Sequence, residues 1–454
     1  MKKIQLVKST SGVRGVLGNG LDMHMLAEYA AAFGTLLKKG KIVVGRDSRP
    51  SGNIINPLII SVLQSMGFDV VDVGVVPTPT VEIAVKKLKA VGGICITASH
   101  NPAEWNALKF FNKTGEFITP AEYKKLNSIF ESKKFSYKPH NALGKLTYQD
   151  KWIDEHIKAT LAQKAVNNAA IKKRKFKVVV DAVNGAGSVA LPKMLKKLGV
   201  TVIEINCKNN GNFVHEPEPV AKNLTQLCKA VKKHKADLGM ACDPDADRLA
   251  LVDNNGNAIG EELTLTIGVM AVLLKLKGAT VINLSTSKVT EDIAKSLGSK
   301  VIYAKVGEAN VVEMMRKKNG IIGGEGNGGL IFPSFHAGRD SLIAAALTLT
   351  VLADRKTTLA NLVETFPKYY NIKDKETLKD KDRFLQKLKK FEQDSVSFFG
   401  KSKIDRRDGL RFDFAEGWLQ LRTSNTEPIY RIITETNSAK LTATLTDKVK
   451  KYFK

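Results

Sequence analysis

A helical stretch that closes on lysine and glycine and runs at once into a strand recurs along this chain, and that order leaves few folds open. Lys38-Lys39-Gly40, Lys196-Lys197-Leu198-Gly199, Lys275-Leu276-Lys277-Gly278 and Arg316-Lys317-Lys318-Asn319-Gly320 each end an apolar period just before such a strand. Cations in a last helical turn complement the helix dipole, and glycine supplies the left-handed residue that stops the helix. Helix and strand in alternation build parallel sheets covered by helices. With 454 residues and 43% hydrophobic content the chain is too long for one core. The pattern predicts three tandem α/β domains with mixed, mostly parallel sheets, over 1–145, 146–255 and 256–365, and a smaller C-terminal α+β domain over 366–454.

Within the first domain the pattern predicts helices over 26–37, 54–66 and 81–89 and strands over 41–44, 68–73 and 92–97, with Pro77-Thr78-Pro79-Thr80 as a rigid loop. In the second, Asp150 reads as the cap of a helix to 162, followed by strands 176–180, 200–205 and 238–242 and helices 193–197 and 224–233. In the third, an apolar helix begins near 259, helices follow over 289–297 and 309–317, and strands over 280–284, 300–304 and 320–323. Near 365 the texture changes: 373–390 reads as a charged helical segment, followed by strands 409–414, 418–422 and 429–434 and a last helix from about 438.

Lysine and arginine number 71 against 45 acidic residues, a net charge of +26. The lysines are dispersed at helix ends rather than gathered in an arginine-rich arm with aromatics, which argues for a solvated surface or an anionic substrate and against nucleic acid. Cys95, Cys207, Cys228 and Cys242 lack paired metal spacing and read as free thiols of a reducing compartment. The apolar runs around 263–274 and 342–352 are too short for a membrane span. A soluble cytoplasmic protein, monomer or homodimer, with no nucleic-acid or membrane partner, is the expectation.

Four loops at strand ends carry chemistry. Ile96-Thr97-Ala98-Ser99-His100-Asn101-Pro102 puts a serine at the exposed end of an apolar strand, where it is a candidate nucleophile or phosphate carrier, or a capping residue in a turn. Asp243-Pro244-Asp245-Ala246-Asp247-Arg248 sets carboxylates at alternate positions, an oxygen-only set that suits Mg²⁺. In Gly323-Gly324-Glu325-Gly326-Asn327-Gly328-Gly329 the glycines allow close backbone approach, and Glu325 and Asn327 offer groups that bind sugar hydroxyls. Beside it stand His336, Gly338, Arg339 and Asp340, the last two read as paired helix-start charges. Arg422-Thr423-Ser424-Asn425-Thr426-Glu427-Pro428 reads either as a phosphate cradle in side-chain form, with Arg431 as a second cation, or as a hydroxyl-rich turn before proline.

Taken in order, these four loops resemble those of the α-D-phosphohexomutase superfamily along essentially the full chain. The resemblance implies four domains around a central cleft, a phosphoserine at Ser99, and Mg²⁺ held by Asp243, Asp245, Asp247 and an oxygen at Ser99. It implies Arg14, His100, Lys109 and Arg248 in the catalytic set, with Lys109 as general acid or base and a lysine pKa lowered by the neighbouring cations. Lys305, Glu325 and Asn327 would contact the sugar, and Arg422, Ser424, Asn425 and Thr426 its non-reacting phosphate. His215 is given a structural role. The implied reaction exchanges hexose 6-phosphate and hexose 1-phosphate through a hexose 1,6-bisphosphate that is also the activator. The loop composition favours glucosamine phosphate over the phosphomannomutase/phosphoglucomutase substrates; a non-catalytic sugar-phosphate sensor is the rival from another class. Ser9-Thr10-Ser11-Gly12, Ala107 and Thr423 depart from the family pattern without removing a charged catalytic group.

Overall fold

One four-stranded arrangement occurs three times. In the first instance strand Lys41–Arg46 lies parallel to Asp69–Val75 on one side and Gly92–Ile96 on the other, and Trp105–Asn112 runs back antiparallel to Gly92–Ile96. In the second, Lys177–Asp181 sits between Thr201–Ile205 and Leu238–Cys242, with Leu249–Val252 antiparallel beyond. In the third, Ala279–Asn283 sits between Val301–Ala304 and Gly320–Glu325, with Gly329–Ile331 antiparallel beyond. Crossover helices return the chain parallel, whereas a short connection can only send it back. Each turn into the antiparallel strand therefore opens at the carboxyl ends of the parallel strands, where open α/β sheets bind ligands. The structure is a computed structural model that describes residues 6–378, 380–424 and 429–453.

The first sheet is wider than the others. Gly12–Leu17 pairs with Trp105–Asn112, Val7–Ser9 lies outside it, and Leu146–Tyr148, just past residue 145, pairs with Asp69–Val75 at the other edge. Gly92–Ile96 and Leu238–Cys242 are buried along their whole length, which is why both read as unbroken apolar runs. The second and third units share one core: Val178 and Met240 belong to the same apolar cluster as Ile282, Ile322 and Leu347. Helix Ser341–Asp354, apolar on every side, is buried within that cluster. Among the described residues no helix is long and apolar enough to cross a membrane.

Several elements differ from the expectation. Helix Thr78–Lys87 begins inside the proline stretch read as a loop, because Pro79 falls in the first turn where a missing N–H removes no helical bond. Helix Trp152–Leu161 follows Lys151 at the cap position, so Asp150 is not its cap. Helix Gly187–Lys197 starts at the glycines, earlier than the 193 expected. The first part of the charged segment is strand Tyr370–Thr377, paired throughout with Ile429–Thr436; the helix is Lys381–Phe399, capped by Asp380. Its charges are spent on neighbouring elements, Lys373 on Glu261 and Glu262 and both Asp374 and Glu376 on Lys450, so an edge strand carries the charge density of a helix surface. The C-terminal sheet is antiparallel throughout.

A buried polar chain locks the first unit to the third. Thr80 Oγ1 lies 2.9 Å from His156 Nδ1, and His156 Nε2 and His336 Nε2 lie 2.9 and 3.0 Å from Asp340 Oδ2. His336 Nδ1 lies 3.1 Å from Glu82 Oε2, and Asp340 Oδ1 accepts the Leu342 N–H at the start of helix Ser341–Asp354. Burial alone would lower the His336 imidazole, but Asp340 and Glu82 outweigh it and raise it to about 9. Burial pushes Glu82 up to about 8, with His336 opposing. Both folded values lie above the ordinary ones, so the stability they contribute is complete at low pH and is lost as pH rises through the folded values. Thermal unfolding followed by circular dichroism should show the melting temperature falling between about pH 6.5 and 9, a loss of roughly 1 to 3 kcal/mol, with a shallower slope in His336→Asn. A melting temperature that climbs across this window would contradict the protonation scheme.

Candidate active site

The chain leaves strand Gly92–Ile96 and places Ser99 at φ 51°, a left-handed conformation that a residue with a side chain holds only when its surroundings impose it. Arg49 imposes it. Its wholly buried guanidinium donates to the carbonyls of Ser99 at 2.7 Å, Asn101 at 2.6 Å, Pro102 at 2.5 Å and Trp105 at 3.1 Å. Asp47 accepts from Arg49 Nε and from the Thr97 hydroxyl, and Thr97 Oγ1 accepts the Ser99 N–H. The serine is thus held from behind, and its Oγ lies 2.9 Å from Asp243 Oδ2 and 3.3 Å from His100 Nδ1.

The aspartate turn joins Leu238–Cys242 to Leu249–Val252, with Ala246 at φ 50°. Asp243 Oδ1 accepts the N–H groups of Asp247 and Arg248, which folds the turn around one carboxylate. Asp245 Oδ2 accepts from Thr78 Oγ1 and from Lys109 Nζ, both at 2.6 Å; Lys109 also reaches Asp247 Oδ2 at 3.2 Å, and Arg339 donates to the same oxygen at 2.6 Å. One oxygen from each of Asp243, Asp245 and Asp247 lies within 4.8 Å of the others. Asp245 Oδ1 and Asp247 Oδ1 are buried without a hydrogen-bond partner. Buried, oxygen-only and with acceptors to spare, the triad fits a hard divalent cation.

Charge is distributed unevenly here. Burial, with Asp247 and Asp245 close by, holds the Asp243 carboxyl well above its usual range. Burial would raise Asp247 too, but Arg339, Lys109 and Arg248 pull it below that range. Lys109 departs from the sequence reading: burial lowers its ammonium, yet Asp245 and Asp247 outweigh both that and Arg339, so it lies above an ordinary lysine. Burial lowers Arg14 to about 10, with Arg248 and Arg339 adding to the effect and Asp245 opposing it. His100 is held well below its usual value by burial, then by Arg248 and Arg14.

The remaining candidates are arranged around this centre. Arg14, on strand Gly12–Leu17, donates to Asn101 Oδ1 at 3.2 Å, and its Nε is buried without a hydrogen-bond partner. An Arg248 nitrogen lies 3.7 Å from Glu218. Glu325, at the end of Gly320–Glu325, accepts from Asn283 Nδ2 and the Gly307 N–H and pairs with Arg339. Asn327 Oδ1 accepts the Gly329 N–H within its own turn, and Lys305 is exposed after strand Val301–Ala304. Arg422 and Arg431 are cross-strand partners, and burial lowers Arg422, whose Nε lacks a hydrogen-bond partner. Ser424 donates its N–H to the Ile429 carbonyl; Asn425 and Thr426 lie outside the described residues. His215 Nε2 lies 3.1 Å from Asp181, a fold contact.

Sequence reasoning passed over Arg49, Thr78 and Arg339. Arg49 stood in a stretch read as a polar loop, and only tertiary burial shows that its donors are spent on the serine turn. Arg339 does not pair with Asp340: its guanidinium reaches Asp247, Glu308 and Glu325, while Asp340 caps the helix and binds the two histidines.

Profiles of the phosphoglucomutase/phosphomannomutase α/β/α domains I, II and III match residues 5–137, 154–256 and 263–370, and that of the family's C-terminal domain matches 371–451. The chain is 38% identical over 437 residues to a phosphoglucomutase/phosphomannomutase of Thermococcus kodakarensis, covering 94% of each chain. It is 34% identical over 448 residues to a probable phosphoglucosamine mutase of Pyrococcus abyssi, covering 98% of this chain and 97% of the relative. The crystal structure of a phosphoglucomutase/phosphomannomutase family protein from Burkholderia thailandensis superposes with a TM-score of 0.85 at 26% identity, covering 98% of this chain and 97% of that one. Three α/β domains with their loops facing one another, a fourth antiparallel domain and full-length relatives lead to one conclusion: the chain belongs to the phosphoglucomutase/phosphomannomutase family of phosphohexomutases, enzymes that move a phosphate within a sugar.

Proposed function

We propose that the enzyme interconverts hexose 6-phosphate and hexose 1-phosphate through a phosphorylated Ser99 and a hexose 1,6-bisphosphate, with glucosamine phosphate as its preferred substrate. The observation that carries this reading is the 2.9 Å contact between Ser99 Oγ and Asp243 Oδ2, which sets a hydroxyl against three buried carboxylates. Mg²⁺ held by Asp243, Asp245, Asp247 and an oxygen at Ser99 would supply positive charge to the transferring phosphoryl oxygens.

The rest falls to the chain. A sugar hydroxyl oxygen bonds to phosphorus as the Ser99 Oγ–P bond breaks, giving the bisphosphate and free serine; after the sugar turns around, Ser99 takes back the other phosphate. Arg14 and Arg248 neutralise phosphoryl oxygens, and Lys109, kept as an ammonium by its aspartates, gives a proton to the departing oxygen, that of Ser99 in the first transfer and that of the sugar in the second, and regains one from the attacking hydroxyl. His100, packed against Ser99 and held neutral, orients the hydroxyl. Lys305, Glu325 and Asn327 read the sugar. Arg422, Arg431, Ser424, Asn425 and Thr426 grip the phosphate that is not reacting, the two arginines lying opposite each other on neighbouring strands. The four units divide near 145, 255 and 365, each contributing one loop, and the enzyme works in the cytoplasm as a monomer or homodimer. The Thermococcus relative favours a second reading, in which glucose or mannose phosphate is preferred.

Ser99→Ala should reduce turnover by about a thousandfold or more and leave no phosphate detectable by intact-mass spectrometry; normal mutase rates would refute the serine's role and point to a different nucleophile. Arg422→Gln should raise KM about tenfold while leaving Mg²⁺ affinity unchanged, since it removes a grip used before and during transfer. Coupled assays on glucosamine, glucose and mannose phosphates, with Mg²⁺ and a bisphosphate activator, decide the sugar: a preference for glucose or mannose phosphate would overturn the glucosamine assignment.

A further inference from the structure

Arg339 is shared among three carboxylates contributed by two loops and a helix. Its Nη2 lies 2.6 Å from Asp247 Oδ2 in the aspartate turn, its Nη1 3.3 Å from Glu325 Oε2 in the sugar loop, and its Nε 2.9 Å from Glu308 Oε2 at the start of helix Glu308–Lys318. The side chain is 9% exposed, so water screens these pairs weakly. The backbone on both sides is fixed: Asp340 is held by the histidine chain, and a Cβ on Gly338 would fall 1.8 Å from Glu82 Oε2. The arm itself lies where a side chain on residue 329 would go, since a Cβ on Gly329 would meet Arg339 Cδ at 2.3 Å and Asn327 Oδ1 at 2.9 Å. Glycine at 329 is therefore what lets one guanidinium span the aspartate turn and the sugar loop.

We infer that Arg339 is a positioning residue that couples divalent-cation affinity at the aspartate turn to the state of Glu325 in the sugar loop. This deepens the proposed function and rests on it. A cation at the aspartates competes with Arg339 for Asp247, so Arg339 weakens cation binding; when Asp247 is drawn away, the guanidinium is left to Glu325 and Glu308 and holds the sugar loop in place. Conversely, removing the Glu325 charge leaves Arg339 leaning on Asp247 and lowers cation affinity. A coupling of this kind acts equally in both directions.

The test is a double-mutant cycle read by isothermal titration of Mg²⁺ into full-length, dephosphorylated protein without sugar, so that activity is not the readout. Arg339→Met should bind Mg²⁺ about tenfold more tightly than wild type, because a like charge beside the site is gone, whereas a damaged site would bind it more weakly. Glu325→Gln should weaken Mg²⁺ binding about threefold in the wild-type background and by less than half that factor when combined with Arg339→Met. If Arg339→Met does not fold by circular dichroism, Arg339→Lys replaces it in the cycle, since one ammonium cannot span both carboxylates, and the Glu325→Gln factor should shrink in the same way. An unchanged or weaker Mg²⁺ affinity in Arg339→Met, or an equal Glu325→Gln factor in both backgrounds, overturns the coupling. Wild-type protein that binds no Mg²⁺ overturns the cation reading itself, a failure that the cycle separates from failure of the coupling.

Discussion

Three carboxylates on one short turn cannot share a dry pocket unless positive charge is brought to them. Asp243, Asp245 and Asp247 are all buried, and besides Arg248 on the same turn the cations that answer them come from other units: Lys109 from the first and Arg339 from the third, with the Thr78 hydroxyl also bonded to Asp245. Breaking such a buried pair by removing one partner costs about 3 to 5 kcal/mol, because the other charge is left stranded. The aspartate turn therefore holds its neighbours in place as firmly as they hold it. Asp245 even fixes the backbone of the first unit, accepting the Thr78 N–H on its carbonyl.

The repeated topology is what delivers those partners to one place. Each α/β unit turns from its last parallel strand into an antiparallel one, and the turns carry Ser99, the three aspartates, and the loop after Glu325. The buried chain from Thr80 through His156, Asp340 and His336 to Glu82 then sets the distance between first and third units, and the common core of the second and third sets the remaining one.

The C-terminal unit is docked on the third by polar contacts rather than by a shared core. Arg411 donates to the Leu284 carbonyl and stacks between Tyr303 and Trp418, Ser285 donates to Gln420, and Glu435 accepts from both the Lys288 N–H and Trp418 Nε1. The backbone of Val306 donates to Asp408, and the next N–H, of Gly307, goes to Glu325. The segment that receives the C-terminal unit is thus the one that anchors the sugar loop. Burial lowers Arg422, while the charges of Asp408 and Glu325 oppose that shift.

The sequence by itself determined the layers and the loops. Lysine-glycine stops and apolar runs located the parallel strands of the three α/β units and most of their helices, because capping and burial are local rules, and Leu238–Cys242 was read to the residue; the antiparallel returns Trp105–Asn112, Leu249–Val252 and Gly329–Ile331 were not read. Ser99, the aspartates and Glu325 were legible because their chemistry is compressed into a few adjacent positions. The reading failed where local pattern and tertiary setting disagree: charges along Tyr370–Thr377 mimic a helix surface but line a sheet edge, and Pro79 marks a helix start rather than a loop. Only the tertiary structure decided the roles of Arg49 and Arg339, whose partners lie far off in the chain or on other units, and the charge on Lys109. A guanidinium or an ammonium is the same group in any sequence; which carboxylates and carbonyls surround it once water is excluded depends on how separate units are packed together.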